Sequence, residues 1–179
     1  MGKRIGYARF EAILERLKRE INFGEGTTFS GQRPKVTTLS TVGSYASPTK
    51  TCTAADSGTT FFVDMSTVNI VLQLPTAVAG WNCKVIMATA SDNEATKDFA
   101  LTTGADGTDI GGHIRQGGNS VIEITNATSC IGFDSSDGAV TVGDYLDIYC
   151  DGTDFYCIGT TVTAATIDIA DAADGHTLP

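Results

Sequence analysis

The side chains best suited to chemistry are few in this chain and stand apart from one another. His113 and His176 are the two histidines, and neither has Cys or His neighbours at the spacing of zinc ligands. The sequence contains no glycine-rich phosphate loop, G-x-S-x-G elbow or HExxH motif. A Ser–His–acid triad built from distant residues stays open, but we expect His113 to be exposed or hydrogen-bonded at a strand edge. We therefore predict no enzymatic activity and no bound metal or cofactor.

Acidic residues recur in pairs near predicted turns. The pairs are Asp106 with Asp109, Asp134 with Asp137, and Asp151 with Asp154. Carboxylates on tight turns are ligands that Ca²⁺ prefers, although no pair fits an EF-hand. Asp also supports Gly in turns, so the pairs are interpreted as solvated turns, with calcium as the alternative.

Five cysteines are widely spaced and include no CxxC pair: Cys52, Cys83, Cys130, Cys150 and Cys157. A two-residue turn at Gly152-Thr153 would place Cys150 opposite Phe155 and Cys157 opposite Ile148. The two thiols would then lie diagonally, about 7–8 Å apart, which is too far for an unstrained disulfide. We predict free, buried thiols.

Charge divides the chain into two unlike parts. The net charge is −9, but residues 1–50 carry nine Lys/Arg against four Glu, and residues 51–179 carry three Lys/Arg against seventeen Asp/Glu. This asymmetry predicts a basic arm and an acidic body, and the acidic body argues against nucleic acid as a partner. No apolar run is long enough to span a membrane, and the start lacks a secretory signal. We expect synthesis in a host cytoplasm and no membrane partner.

Residues 1–23 are predicted to form a basic amphipathic N-terminal helix. One apolar stripe recurs at helical spacing: Phe10, Ile13, Leu14, Leu17 and Ile21. Basic residues, among them Arg4, Arg9 and Arg16, lie on the other faces. Because such a helix is marginal alone in water, its stripe needs a partner. The partner is either the protein's own body or a neighbouring subunit or the surface of a larger assembly, and these residues are our candidate interaction site.

The remaining chain is predicted to consist of a linker, a β body and a tail. Residues 24–48 are predicted to be an extended linker arm, whose segment 36–42 could add an edge strand to another subunit. Residues 49–163 form the body, with strands expected at 49–54, 59–64, 68–74, 82–89, 98–102, 109–115, 119–125, 128–133, 145–150 and 154–160. The fold class is all-β, a jelly-roll-like sandwich of two sheets with an N-terminal α-helical arm. Residues 164–179 are an Ala/Asp-rich tail, in which 166–169 could add a last strand.

Two segments of the body resemble a known family. The stretch from Thr53 to Val85 has the pattern DSG-T-FF-D, I-L-LP and AG-N-K, and Gly143 to Tyr156 has GD followed by DG-D-F-Y. Both resemble small capsid decoration (cement) proteins of tailed bacteriophages, in which Trp is usual at the position of Phe155. Similar hairpins also occur in phage tail and fibre proteins.

The resemblance implies a virion structural protein on the outer surface of the head. It would bind the major capsid protein, stabilise contacts between capsomers and stand as a homotrimer. The alternative is a head-fibre or tail-fibre module that binds host surface glycans through aromatic residues, with Tyr145, Tyr149, Phe155 and Tyr156 as candidates. Alternation along the strands predicts that about half of these four rings point inward. A polysaccharide depolymerase is a third possibility, for which the chain is short.

Overall fold

In the part of the chain that the structure describes, short runs of apolar and β-branched residues, separated by turns rich in Gly, Asp and Pro, form twelve β-strands. The computed structural model describes residues 34–44, 46–90, 98–104, 108–117, 120–133, 140–163 and 167–170, all within a unit that begins at Pro34. The strands are β1 (Lys35–Leu39), β2 (Lys50–Thr51), β3 (Thr59–Val63), β4 (Ile70–Gln73), β5 (Asn82–Met87), β6 (Phe99–Thr102), β7 (Ile110–Arg115), β8 (Val121–Thr128), β9 (Cys130–Phe133), β10 (Tyr145–Cys150), β11 (Phe155–Thr160) and β12 (Ile167–Ala170).

The strands form two sheets. A seven-stranded sheet has the order β1-β3-β5-β10-β11-β7-β8, and a five-stranded sheet has the order β12-β9-β6-β4-β2. The prediction of an all-β protein with two sheets is therefore confirmed. Five of the ten described strand pairs are parallel, namely β1–β3, β3–β5, β7–β11, β2–β4 and β4–β6.

One hydrophobic core joins the two sheets. Phe61, Ile148 and Phe155 of the seven-stranded sheet belong to the same buried cluster as Leu72 and Phe133 of the five-stranded sheet. All five side chains are fully buried. Burying a side chain of this size contributes about 1.5–3 kcal/mol relative to leaving it exposed, so this shared cluster is the main source of the fold's stability.

The predicted strand at 49–54 is only partly confirmed. β2 covers Lys50–Thr51, and the chain then turns into a short 3-10 helix, Ala54–Asp56. The Asp56 carboxylate accepts hydrogen bonds from the Thr53 backbone N–H (2.7 Å) and the Thr53 hydroxyl (2.9 Å). These local bonds compete with a sheet ladder and end the strand early.

The segment from Lys35 to Leu39 was predicted to be part of a linker that could pair with another subunit. It instead forms β1, which runs parallel to β3 of the same chain. Leu39 is buried, and its carbonyl accepts a hydrogen bond of 2.8 Å from the Asp64 backbone N–H. Burial of Leu39 is the physical reason why this segment lies on its own body.

At the two ends, much of the prediction lies outside the described residues. This holds for the helix at residues 1–23, for 24–33 of the linker and for 171–179 of the tail. The last strand expected at 166–169 is present as β12, which pairs antiparallel with β9.

The β10–β11 hairpin has the predicted register. Cys150 faces Phe155 and Ile148 faces Cys157, and the Asp151 backbone N–H donates to the Asp154 carbonyl at 3.2 Å. Gly152 in the turn has φ +108°, a conformation that glycine adopts without strain.

All five cysteines are buried free thiols, as predicted. Burial is the main cause that raises the pKa of both Cys52 and Cys157 to about 12. Both thiols therefore remain protonated at neutral pH, and their role is to fill space in the core.

Strands β7 and β11 approach each other closely at Gly112. A Cβ atom at this position would lie 2.0 Å from the carbonyl oxygen of Cys157, and the φ angle of Gly112 is +132°. The pairing of β7 with β8 also shifts register between Ile110 and Gly112. Glycine is therefore required here both for space and for backbone conformation.

Candidate functional site

The predicted interaction residues of the N-terminal segment lie outside the described residues. They are Arg4, Arg9, Phe10, Ile13, Leu14, Arg16, Leu17 and Ile21. Their role therefore stays a prediction. A candidate site in the described part must be sought on the surface of the β body.

The face of the seven-stranded sheet that points away from the core, here called the outer face, is the main candidate. Strand register places one row of side chains across it: Val36, Thr60, Lys84, Asp147, Ile158, His113 and Glu123. His113 and Glu123 are exposed, and 46% of Ile158 is exposed. The corresponding face of the five-stranded sheet differs, because Val71, Ala100 and Cys130 form a second buried cluster there.

A charged pair occupies the middle of the outer face. The Lys84 Nζ lies 3.1 Å from Asp147 Oδ1 and 4.1 Å from the centre of the Tyr145 ring. The two charged side chains are 39% and 29% exposed, so solvent screens the ion pair and its contribution to stability is about 1 kcal/mol or less. Together these contacts fix the orientation of Lys84 and Tyr145 on the surface.

Two tyrosines face each other at the hairpin end of the outer face. Tyr149 on β10 is paired with Tyr156 on β11, and they are 51% and 40% exposed. Directly opposed side chains on neighbouring strands have Cβ atoms about 4.5–5.5 Å apart, so the two tyrosines lie side by side on the outer face.

The hairpin turn holds one of these rings in place. The Tyr156 hydroxyl donates to Asp151 Oδ2 at 3.1 Å, and Asp151 Oδ1 accepts the backbone N–H groups of Thr153 (2.8 Å) and Asp154 (2.9 Å). The hydrogen bonds from Asp154 and Thr153 lower the pKa of the Asp151 carboxyl. The hydrogen bond to Asp151 in turn raises the pKa of the Tyr156 hydroxyl.

The prediction that about half of the four aromatic candidates point inward was wrong. Tyr149 and Tyr156 are exposed and Tyr145 is partly exposed on the same outer face, whereas Phe155 alone is buried in the core. The sequence did contain the signal. Tyr145 and Tyr149 are four residues apart on one strand, and the register that pairs Cys150 with Phe155 also pairs Tyr149 with Tyr156.

Asp151 and Asp154 were also candidates for calcium. Both oxygens of the Asp151 carboxylate accept hydrogen bonds within the hairpin, which fits the interpretation of this pair as a turn. Among the described residues, no group of three or more His, Cys, Asp or Glu side chains is placed to hold a metal ion. Asp106, Asp134 and Asp137 lie outside those residues.

Asp144 is a buried carboxylate at the opposite end of the hairpin. Its Oδ2 accepts the Thr141 backbone N–H and its Oδ1 accepts the Val162 backbone N–H, each at 2.9 Å. Only 2% of the residue is exposed. It therefore links the turn before β10 to the segment after β11. Burial raises the pKa of Asp144 above its ordinary value of 3.8, although these two hydrogen bonds act in the opposite direction.

We expect Asp144→Asn to reduce the free energy of unfolding by about 1–3 kcal/mol, because the amide nitrogen cannot accept one of the two backbone hydrogen bonds. The raised pKa adds a pH dependence. The stability that Asp144 contributes is present below its unfolded pKa and is lost as the pH rises through its folded pKa.

The stability gap between the wild type and Asp144→Asn should therefore widen as the pH falls from 7 towards 4. Urea unfolding at several pH values measures this gap, and Asp154→Asn in the turn at the other end of the hairpin is the control, with an expected change within about 0.5 kcal/mol. A gap that narrows on acidification would show that burial does not raise this pKa.

Comparisons with known proteins add no assignment. No family model matches the chain, and no curated protein matches its sequence. In the described part of the chain, no helix has the length and apolar character needed to cross a membrane. Function must therefore be inferred from the residues and their geometry.

Proposed function

We propose that this chain is a phage virion structural protein that decorates the outer surface of the head and stabilises contacts between capsomers. The observation that supports it most strongly is where the two family-like segments lie. Residues 53–85 contribute β3 and β5, residues 143–156 contribute β10 and the start of β11, and these four strands are neighbours in the seven-stranded sheet. Residues 53–85 also contribute β4, which lies in the five-stranded sheet. Segments far apart in sequence thus form one structural unit.

A ring contact also joins the two segments. The Trp81 ring of the first segment meets the Phe155 ring of the second edge-on, with centres 5.9 Å apart. Within the first segment, the Trp81 indole N–H donates to the Thr53 carbonyl at 3.1 Å. Phe155 is the position at which the family usually has Trp, and the aromatic contact supports the view that Phe replaces it here without loss of packing. The proposal is supported by this packing of the two family-like segments against each other.

In this proposal the N-terminal segment anchors the protein. Its apolar stripe and positive charge bind the major capsid protein, and the acidic β body stands outside the shell as part of a homotrimer. Neither nucleic acid nor membrane is a partner. Binding of many copies to the assembled shell alone stabilises that shell by mass action.

Heads assembled without the protein provide the test. We expect them to form at normal size but to release DNA at a lower temperature than complete heads. Adding the protein back should raise the release temperature to that of complete heads. The measurement is thermal release of DNA, with adsorption to host cells recorded in parallel. If depleted heads are as heat-stable as complete heads, the proposal is wrong.

The alternative, a fibre module that binds host glycans, is favoured by one observation. Tyr145, Tyr149 and Tyr156 lie on one outer face, and aromatic rings of this kind form platforms for flat ligand surfaces. Under this alternative, Tyr149→Ala with Tyr156→Ala abolishes adsorption and leaves the heat stability of heads unchanged. Copy number separates the two functions as well, because decoration requires hundreds of copies per virion and a fibre requires a few to tens.

The helical N-terminal arm and the jelly-roll-like form of the sandwich are also part of this proposal. The helical arm at residues 1–23 is the anchor that decoration requires. A jelly-roll-like sandwich is supported by the core shared between the two sheets, whereas the five parallel strand pairs count against a purely antiparallel form of it.

A further inference from the structure

Three buried polar residues, here called the polar row, lie next to one another at one end of the core-facing side of the seven-stranded sheet. They are Asp144, just before β10, Thr161, just after β11, and Gln116, just after β7. The exposed fractions of these residues are 2%, 1% and 6%. Polar groups at such depth are almost always hydrogen-bonded in native proteins, so each of them needs partners.

Strand register accounts for the arrangement of the polar row. Thr160 is paired with Tyr145 on β10 and with Arg115 on β7. One position further along, the same register brings the three buried residues side by side, with Thr161 in the middle. A hydrogen bond of 2.9 Å from the Thr161 backbone N–H to the Arg115 carbonyl continues the ladder as far as this row. Neighbouring strands are about 4.8 Å apart, so the backbones of the two outer members are separated by about 10 Å.

Two members of the polar row have hydrogen bonds and can accept more. Each carboxylate oxygen of Asp144 accepts one backbone N–H at 2.9 Å, which leaves lone pairs on both oxygens. The Thr161 hydroxyl donates its single proton to the Thr163 carbonyl at 3.1 Å. Its oxygen can therefore act only as an acceptor towards a further group.

The side-chain amide of Gln116 supplies the donors of the polar row. Its nitrogen, Nε2, is buried and has no hydrogen-bond partner among the described residues. It is the one buried side-chain nitrogen or oxygen in the described ranges of which this is true. The Gln116 backbone N–H donates to the Ser120 carbonyl at 2.9 Å, so the main chain at this position is fixed. An amide nitrogen carries two N–H donors, and a buried donor that stays unpaired reduces the stability of the fold.

The polar row thus has N–H donors at one side and acceptor oxygens at the other, which restricts what it can bind. The amide N–H groups of Gln116 repel a metal cation, and the carboxylate of Asp144 repels an anion. An apolar molecule would leave Nε2 unpaired. A water molecule accepts and donates at the same time, and buried waters typically make about three hydrogen bonds to groups of this kind.

We propose that the polar row is a binding site for one structural water molecule, which accepts a hydrogen bond from Gln116 Nε2 and donates to Thr161 Oγ1 and the Asp144 carboxylate. All three hydrogen bonds use donors or lone pairs that the described contacts leave available. The water connects β7, β11 and the turn before β10 at the end of the sheet. This role does not depend on what the protein binds.

Oxygen-17 relaxation dispersion of the solvent tests the proposal on the full-length protein, because it counts the water molecules that stay bound for longer than the protein takes to tumble. We expect Gln116→Met to hold one long-lived water fewer than the wild type, since Met has a similar length and no N–H donor. Gln73→Met is the matched control. Gln73 is half-buried and its Oε1 accepts a hydrogen bond of 3.2 Å from the Thr51 hydroxyl. This variant should keep the wild-type number of long-lived waters.

Thr161→Val is a second variant, which removes one acceptor at almost unchanged shape and should lose the same water. Circular dichroism reports whether each variant folds, and an unchanged number of long-lived waters in either folded variant would overturn the inference. A crystal structure of the wild type gives an independent result. Water within about 3 Å of Gln116 Nε2, Thr161 Oγ1 and the Asp144 carboxylate supports the proposal, whereas a direct hydrogen bond from Nε2 to a protein atom overturns it. None of these outcomes bears on the heat stability of heads, so this proposal and the proposed function can fail separately.

Discussion

A protein that begins at Pro34 should keep its β body and lose all measurable binding to capsids. The described unit begins at this residue and β1 begins at Lys35, so removal of residues 1–33 leaves every described strand in the chain. The predicted anchor, with its apolar stripe and most of the basic residues, is removed completely. Co-sedimentation with heads made without the protein measures binding, and circular dichroism of the truncated chain measures its folding.

Point variants test whether capsid binding depends on the apolar stripe itself or only on the presence of the N-terminal segment. Full-length protein with Phe10→Ser, Leu14→Ser and Leu17→Ser should bind at least tenfold more weakly, because three apolar contacts are lost together. The control is Glu11→Gln with Glu20→Gln, two residues outside the stripe, which should bind as the wild type does. Capsid binding at full strength by the truncated protein would disprove an N-terminal anchor.

Gly112→Ala should cause a loss of about 3 kcal/mol or more in the free energy of unfolding. The added Cβ would lie 2.0 Å from the Cys157 carbonyl oxygen, so β7 and β11 would have to separate. The positive φ of +132° adds a conformational cost of about 1–3 kcal/mol. Denaturant unfolding followed by fluorescence of Trp81 measures the effect.

Gly143→Ala is the matched control for the conformational cost of placing alanine at a positive φ angle. Gly143 also has a positive φ, +94°, but a Cβ there would meet nothing within 4 Å. Its loss should be limited to the conformational cost, about 1–2 kcal/mol. Equal losses at the two positions would show that the close approach between β7 and β11 does not contribute.

Local sequence patterns predicted most of this fold because its strands are short and their turns are explicit. Gly152-Thr153 was enough to predict the register of β10 with β11. The same patterns could not show that β1 pairs with β3, since a parallel neighbour in a sheet is determined by long-range burial, here of Leu39.

The sequence predicted less of the candidate surface than of the fold. Tyr145 and Tyr149 share a face by simple alternation, but only the paired strand shows that Tyr156 joins them. The bond from Tyr156 to Asp151 and the buried position of Asp144 are likewise products of the turn geometry. A carboxylate that is buried by two loops looks, in sequence, like any solvated turn residue.

The position of β10 determines when the protein can fold. This strand lies in the middle of the seven-stranded sheet, between β5 and β11, yet it is the tenth of the twelve described strands in chain order. During synthesis, β1, β3 and β5 leave the ribosome long before Tyr145–Cys150 exists, so their apolar faces stay uncovered and one edge of β5 stays unpaired. Pairings this distant in sequence form slowly. The body therefore folds after most of its chain has been made, and before that its apolar surface is exposed to aggregation.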